Sequence, residues 1–126
     1  MTSAAEFKGK KGLRRLINAL GYSRDGLGAA WKNEAAFREE VLLAAIAIPL
    51  AIVLGNTGIE RALLIGAILL ILIVEILNSG LEAVVDKASP EKHELAKSAK
   101  DMGSAAVLLS LVNAAVIWAC ILWPAG

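Results

Sequence analysis

Five polar side chains fall on one face of a single helical stretch. Glu75, Asn78, Ser79, Glu82 and Asp86 stand at offsets 0, 3, 4, 7 and 11, and helical residues three and four apart share a face. They follow directly on thirteen uncharged, mostly large apolar residues, Ala62 to Val74. Carboxylates of this kind can hold Mg²⁺, which prefers carboxylate and phosphate oxygens. They can also accept a proton from a hydroxyl that is to become a nucleophile.

Depth separates the two acids nearest the apolar run. The thirteen residues alone reach about 20 Å at about 1.5 Å per residue, and a bilayer core is about 30 Å thick. A spanning helix must therefore continue through Glu75 and end near Leu81 or Glu82. Glu75 then lies about 9–10 Å inside one boundary, with Glu82 at that boundary. An acid inside a membrane is costly and points to function. The competing reading is a structural carboxylate paired with a neighbouring helix; a second acid and an amide on the same face argue against it.

The rest of the chain has the composition of a membrane protein. Of 126 residues, 57% are hydrophobic and the mean hydropathy is +0.64, well beyond an ordinary soluble domain. Residues 1–40 hold eight Lys/Arg, residues 87–100 hold four more, and Met102 to Gly126 carry no charge. The start is polar and basic without an early apolar core, so no signal peptide is expected. The lone Cys120 can form neither an intramolecular disulfide nor a cysteine cluster, and packs as a small hydrophobe.

In chain order, residues 1–12 read as a short, polar, mobile segment. Leu13, Leu16, Ile17 and Leu20 stand at offsets 0, 3, 4 and 7, with Arg14, Arg15 and Asn18 off the stripe. This pattern predicts an amphipathic helix in the membrane interface, broken at Gly21. Trp31 and Phe37 suit the headgroup level, and together these segments make an interfacial region, 13–40. Membrane helices are expected at about 41–59, where Pro49 would introduce a kink, at 62–86, and at 99–123. Gly55-Asn-Thr-Gly58 reads as a turn, residues 86–97 as a polar connector stopped by Pro90, and Trp118 and Trp123 as anchors at the far interface. The whole is a single all-α membrane domain, 1–126.

The positive-inside rule puts the basic N-terminus and the 87–100 connector in the cytoplasm and the C-terminus outside. Glu34, Glu82, Asp86, Lys97, Lys100 and Asp101 then gather near the cytoplasmic face. Lys97, Lys100, Asp101 and Ser104 stand at offsets 0, 3, 4 and 7, so the last helix also presents a polar face, which can meet that of the preceding one. Acids for Mg²⁺ at the boundary, lysines for phosphates and a deeper carboxylate describe phosphoryl transfer from a soluble nucleotide to a lipid alcohol. No G-x-x-x-x-G-K-[ST], kinase Gly-rich loop, H-R-D or D-F-G is present, which removes the soluble kinase classes. A small transporter would also carry a membrane glutamate, but its site belongs near the midplane. A non-catalytic assembly subunit would not need Glu75, Asn78 and Glu82 on one face.

Several stretches resemble the small bacterial integral-membrane diacylglycerol kinases: Gly21-Tyr-Ser, Gly26-Leu, Ala29-Ala-Trp31, Asn33-Glu-Ala-Ala-Phe-Arg38, Val74-Glu-Ile-Leu-Asn-Ser79, Leu81-Glu-Ala-Val-Val-Asp86, His93-Glu-Leu and Ala99-Lys-Asp-Met-Gly-Ser-Ala-Ala106. The resemblance runs from about Leu13 to Trp123. It implies a homotrimer of three-helix protomers, each with an interfacial amphipathic helix, and active sites shared between neighbours. It also implies ATP-dependent phosphorylation of diacylglycerol to phosphatidic acid in phospholipid recycling, at the bacterial inner membrane, with Mg²⁺ and without nucleic acid. A kinase of undecaprenol shares the fold and stays open as an alternative.

By position, the resemblance implies Glu75 as the base for the lipid hydroxyl and Glu34 and Glu82 as Mg²⁺ ligands. Asn78 would support Glu75 and the transferring phosphate. Arg15, Tyr22, Lys100 and Asp101, with Glu91, Lys92 and His93, would contact the nucleotide; Lys100 and Asp101 are also catalytic candidates. Tyr22, Ala30, Trp31, Phe37, Arg38, Ser104 and Trp118 would join Glu75 in contacting the lipid. Arg24 and Lys92 stand where the family pattern has aromatics.

Overall fold

The computed structural model describes residues 4–89 and 93–123, with side chains from residue 11 onward. They form four helices: α1 (Ala4–Asn33), α2 (Ala35–Leu54), α3 (Gly58–Ala88) and α4 (Glu94–Leu122). No strand occurs among the described residues.

The first helix departs from the expected break at Gly21. It runs unbroken for 30 residues, beginning inside the segment read as a mobile leader. A glycine inside a helix costs only about 1 kcal/mol relative to alanine, and the helix formers around Gly21, Gly26 and Gly28 outweigh it. What ends α1 is Glu34, whose backbone is extended at φ −118° and ψ 106°. Arg38, one turn into α2, donates from Nη1 to the Trp31 carbonyl at 2.6 Å and the Lys32 carbonyl at 3.2 Å. These are carbonyls that a helix end leaves without intrahelical partners, and a cation there suits the helix dipole.

Two helices, α3 and α4, are long and apolar enough to cross a membrane. At about 1.5 Å per residue, the 31 residues of α3 reach about 46 Å, so a bilayer core leaves its polar end projecting. The 20-residue α2 carries Arg38, Glu39 and Glu40 near its start and continues through Pro49. Its charge-free part, Val41 to Leu54, extends about 21 Å.

The apolar run to Ile59 is thus divided by a turn at 55–57, which local chemistry holds closed. Thr57 Oγ1 accepts from the Glu60 N–H at 3.1 Å, Glu60 Oε1 accepts from the Asn56 N–H at 3.1 Å, and Arg61 Nε donates to the Ile52 carbonyl at 3.0 Å. A Cβ on Gly55 would lie 2.6 Å from Arg61 Cγ, so only glycine lets α3 begin this close to the end of α2.

Packing centres on α3, which lies against α4 most extensively and then α2. Ala44 and Ala47 of α2, Ala67, Ile68 and Ile71 of α3 and Ala114 of α4 form the buried cluster, small residues letting helix backbones approach. Trp118 packs against it, and its indole N–H donates to the Leu64 carbonyl at 3.1 Å. This tie between α4 and α3 is a use of Trp118 additional to the interfacial one expected of it. Only 28% of the apolar window of α3 and 11% of that of α4 is buried, so much of their apolar surface faces outward, as helices bathed in lipid require.

Candidate functional site

Helical periodicity alone places Glu75, Asn78, Glu82 and Asp86 along one side of α3, and the structure turns that side toward the other helices. Glu75 is buried at 6% exposure; Asn78 and Glu82 are half-buried and Asp86 exposed. The exposure falls from Asp86 to Glu75 along this side as the side chains come under the neighbouring helices. Asn78 Nδ2 donates to Glu82 Oε1 at 3.4 Å. The carboxylates that act on Glu75 most directly belong to Glu34 and Glu82. Glu34 comes from the junction of α1 and α2, where its extended backbone leaves the side chain free of any capping hydrogen bond. Glu75 is thus within electrostatic reach of acids from two separate segments.

The polar faces of α3 and α4 do meet. Lys100 Nζ donates to Asp86 Oδ1 at 2.8 Å across the helix pair. Asp101 turns along its own helix, accepting from Lys97 Nζ at 2.7 Å. Both pairs are largely exposed, so they add little stability in water and leave their charges available to a polyanion. His93 caps α4, with Nδ1 accepting from the Leu95 N–H at 3.1 Å.

Other predicted residues lie apart. Arg15 and Tyr22 are exposed on α1, lining a shallow groove with Lys11 and Asn18 on that helix alone. Ala30 and Phe37 are buried where α1 gives way to α2, Trp31 is exposed beside them, and Ser104 is exposed on α4. Glu91 and Lys92 lie outside the described residues.

Glu40 was not singled out by sequence reasoning, yet it is half-buried, feels the charge of Glu75, and holds Oε2 buried without a hydrogen-bond partner among the described residues. A signal existed: Phe37, Glu40, Ala44, Ala47 and Ala51 stand at offsets 0, 3, 7, 10 and 14, so Glu40 shares the buried face of α2.

Among the described residues no group of three or more His, Cys, Asp or Glu is placed to hold a metal ion by itself. Two carboxylates flanking a third still suit Mg²⁺, which binds one or two protein acids and takes its remaining oxygens from phosphate and water. The donor set thus fits a metal that arrives with a nucleotide.

Comparison with known proteins shows the family. Residues 21–122 match the prokaryotic diacylglycerol kinase family. The chain belongs to that family. Relatives of this kinase family include the diacylglycerol kinase of Pseudomonas aeruginosa, 53% identical over 120 residues, covering 95% of this chain and 98% of that one. The Escherichia coli K12 diacylglycerol kinase is 52% identical over 112 residues, covering 89% and 92% respectively. The Helicobacter pylori 26695 diacylglycerol kinase is 48% identical over 108 residues, covering 86% and 84%. The family match takes in Glu34, Asn78, Glu75, Glu82, Lys100 and Asp101 and leaves Arg15 before its start.

Proposed function

We propose that this lipid kinase transfers the γ-phosphoryl group of ATP to the free hydroxyl of diacylglycerol, forming phosphatidic acid and ADP at the cytoplasmic end of α3. The observation that carries the reading is the buried Glu75 on a polar helix face, with Glu34 and Glu82 beside it. Glu75 removes the hydroxyl proton, the hydroxyl oxygen attacks the γ-phosphorus, and the bond to the β-phosphate oxygen breaks. Asn78 orients the reacting groups. Glu34 and Glu82 would hold Mg²⁺, which would supply neutralisation of phosphate charge.

Lys100 and Asp101, with Arg15, Tyr22, Glu91, Lys92 and His93, receive the nucleotide. Ala30, Trp31, Phe37, Arg38, Ser104 and Trp118, with Tyr22, border the lipid. In the bacterial inner membrane, α2, α3 and α4 make three crossings, with the N-terminus cytoplasmic and the C-terminus periplasmic.

The site is shared within a homotrimer. Arg15 lies nineteen residues before Glu34, about 28 Å along α1, so it is far from the acids of its own chain and suited to those of a neighbour. Mixing an Arg15 variant with a Glu75 variant, each inactive alone, should restore part of the activity, because a chain with intact acids then meets a neighbour with an intact Arg15; no recovery after confirmed subunit exchange would place the whole site in one chain.

The choice of alcohol is tested with purified protein in mixed micelles with Mg-ATP and either diacylglycerol or undecaprenol. The expected result is a kcat/KM for diacylglycerol at least about tenfold higher, a transition-state preference of about 1.4 kcal/mol. Preference for undecaprenol would overturn the substrate assignment.

A further inference from the structure

Gly103 is buried in α4 opposite Asn78, and its own backbone gives no reason for glycine. No glycine among the described residues has positive φ, and glycine is disfavoured within a helix relative to alanine. The reason lies across the helix pair. A Cβ on Gly103 would overlap Asn78 Oδ1 and lie 3.1 Å from Asn78 Cγ and 3.2 Å from Leu81 Cδ2. The amide oxygen of Asn78 occupies the space that a side chain at 103 would take.

That oxygen is buried and has no hydrogen-bond partner among the described residues, so hydrogen bonding does not explain its placement. The NH₂ end of the same amide donates to Glu82 at 3.4 Å. Since the two ends of an amide are held at a fixed angle in one plane, seating the oxygen against α4 fixes where the NH₂ is aimed.

We infer that Gly103 is a positioning residue: its missing side chain is the slot that seats the Asn78 amide and directs its NH₂ toward Glu82 and the incoming phosphate. This rests on the catalytic reading of Asn78. A slot acting through Asn78 differs from a glycine that merely lets two helices pack, because the first depends on the Asn78 side chain and the second does not.

The test is a double-mutant cycle in the full-length protein with Gly103→Ala, Asn78→Ala and the pair, read as kcat, as KM for Mg-ATP and for diacylglycerol, and as thermal stability. Gly103→Ala should lower kcat about ten- to a hundredfold, since misplacing a reacting group by about 1 Å costs about that much. Both KM values should stay within about threefold, because substrate contacts are intact. In the Asn78→Ala background the same substitution should cost less than about twofold more, the obstructed amide being absent.

Equal losses in both backgrounds would overturn the inference in favour of helix packing, as would full activity of Gly103→Ala. If Gly103→Ala fails to fold, the double variant should fold again, and its failure to do so would also overturn the slot. Normal turnover of Asn78→Ala alone would remove Asn78 from catalysis and the positioning role with it, while the stability coupling would still report whether the slot exists.

Discussion

Glu75→Gln should turn over diacylglycerol about 10²–10⁴-fold more slowly than the wild type, the usual contribution of general-base catalysis. The substitution keeps the shape and most hydrogen-bonding capacity and removes the basicity. Glu75 is buried at 6% exposure, where a lipid hydroxyl can arrive and bulk water mostly does not. Mg-ATP binding should largely survive, because Glu34, Glu82, Lys100 and Asp101 are untouched. Thermal stability should also hold, since at a buried position a neutral amide costs less to desolvate than a carboxylate and carries no charge to oppose Glu34 and Glu82. A purely structural Glu75 would instead lose stability together with activity. Turnover, nucleotide binding and thermal stability measured on one preparation separate these results, and a stable variant with near-normal turnover would exclude Glu75 as the base.

Glu82→Gln and Glu34→Gln should each lower activity sharply and raise the Mg²⁺ concentration needed for half-maximal rate by at least about tenfold. Even partners outside the ligand shell change metal affinity by about 10–100-fold, and on the proposed assignment a ligand itself is weakened from carboxylate to amide. The two should differ in one respect. Glu82 accepts from Asn78 Nδ2, so Glu82→Gln also disturbs the Asn78 amide and should retain a lower kcat at saturating Mg²⁺. Glu34 has no capping bond to lose, so excess Mg²⁺ should restore more of its activity. Full activity of both variants at low Mg²⁺ would contradict the metal assignment.

The parts of this site that repeat every three or four residues were legible in the sequence. The face of Glu75, Asn78, Glu82 and Asp86 needed only helical geometry, and the Lys100–Asp86 pair followed from two polar faces meeting where one helix exits and the next enters. Features set by a balance of small energies, or by helix registers relative to one another, were not. At Gly21 a local penalty near 1 kcal/mol gave way to continuity of α1. Arg38 could be read as a lipid contact, but its partners, the carbonyls of Trp31 and Lys32, exist only once Glu34 has turned the chain. Glu40 was hidden because its apolar neighbours on α2 are alanines, which leave a weak stripe. The space beside Gly103 has no sequence signature at all: it depends on the register of α4 against α3.

The destination of the phosphoryl group tests the central claim most directly. Protein in mixed micelles is given diacylglycerol and Mg-ATP labelled at the γ-phosphorus, and the organic and aqueous phases are separated. The account predicts label in phosphatidic acid in a one-to-one ratio with ADP formed, and neither product at a comparable rate from Glu75→Gln. Label released as inorganic phosphate, with none in the lipid, would mean that water is the acceptor and would contradict a lipid hydroxyl activated by Glu75.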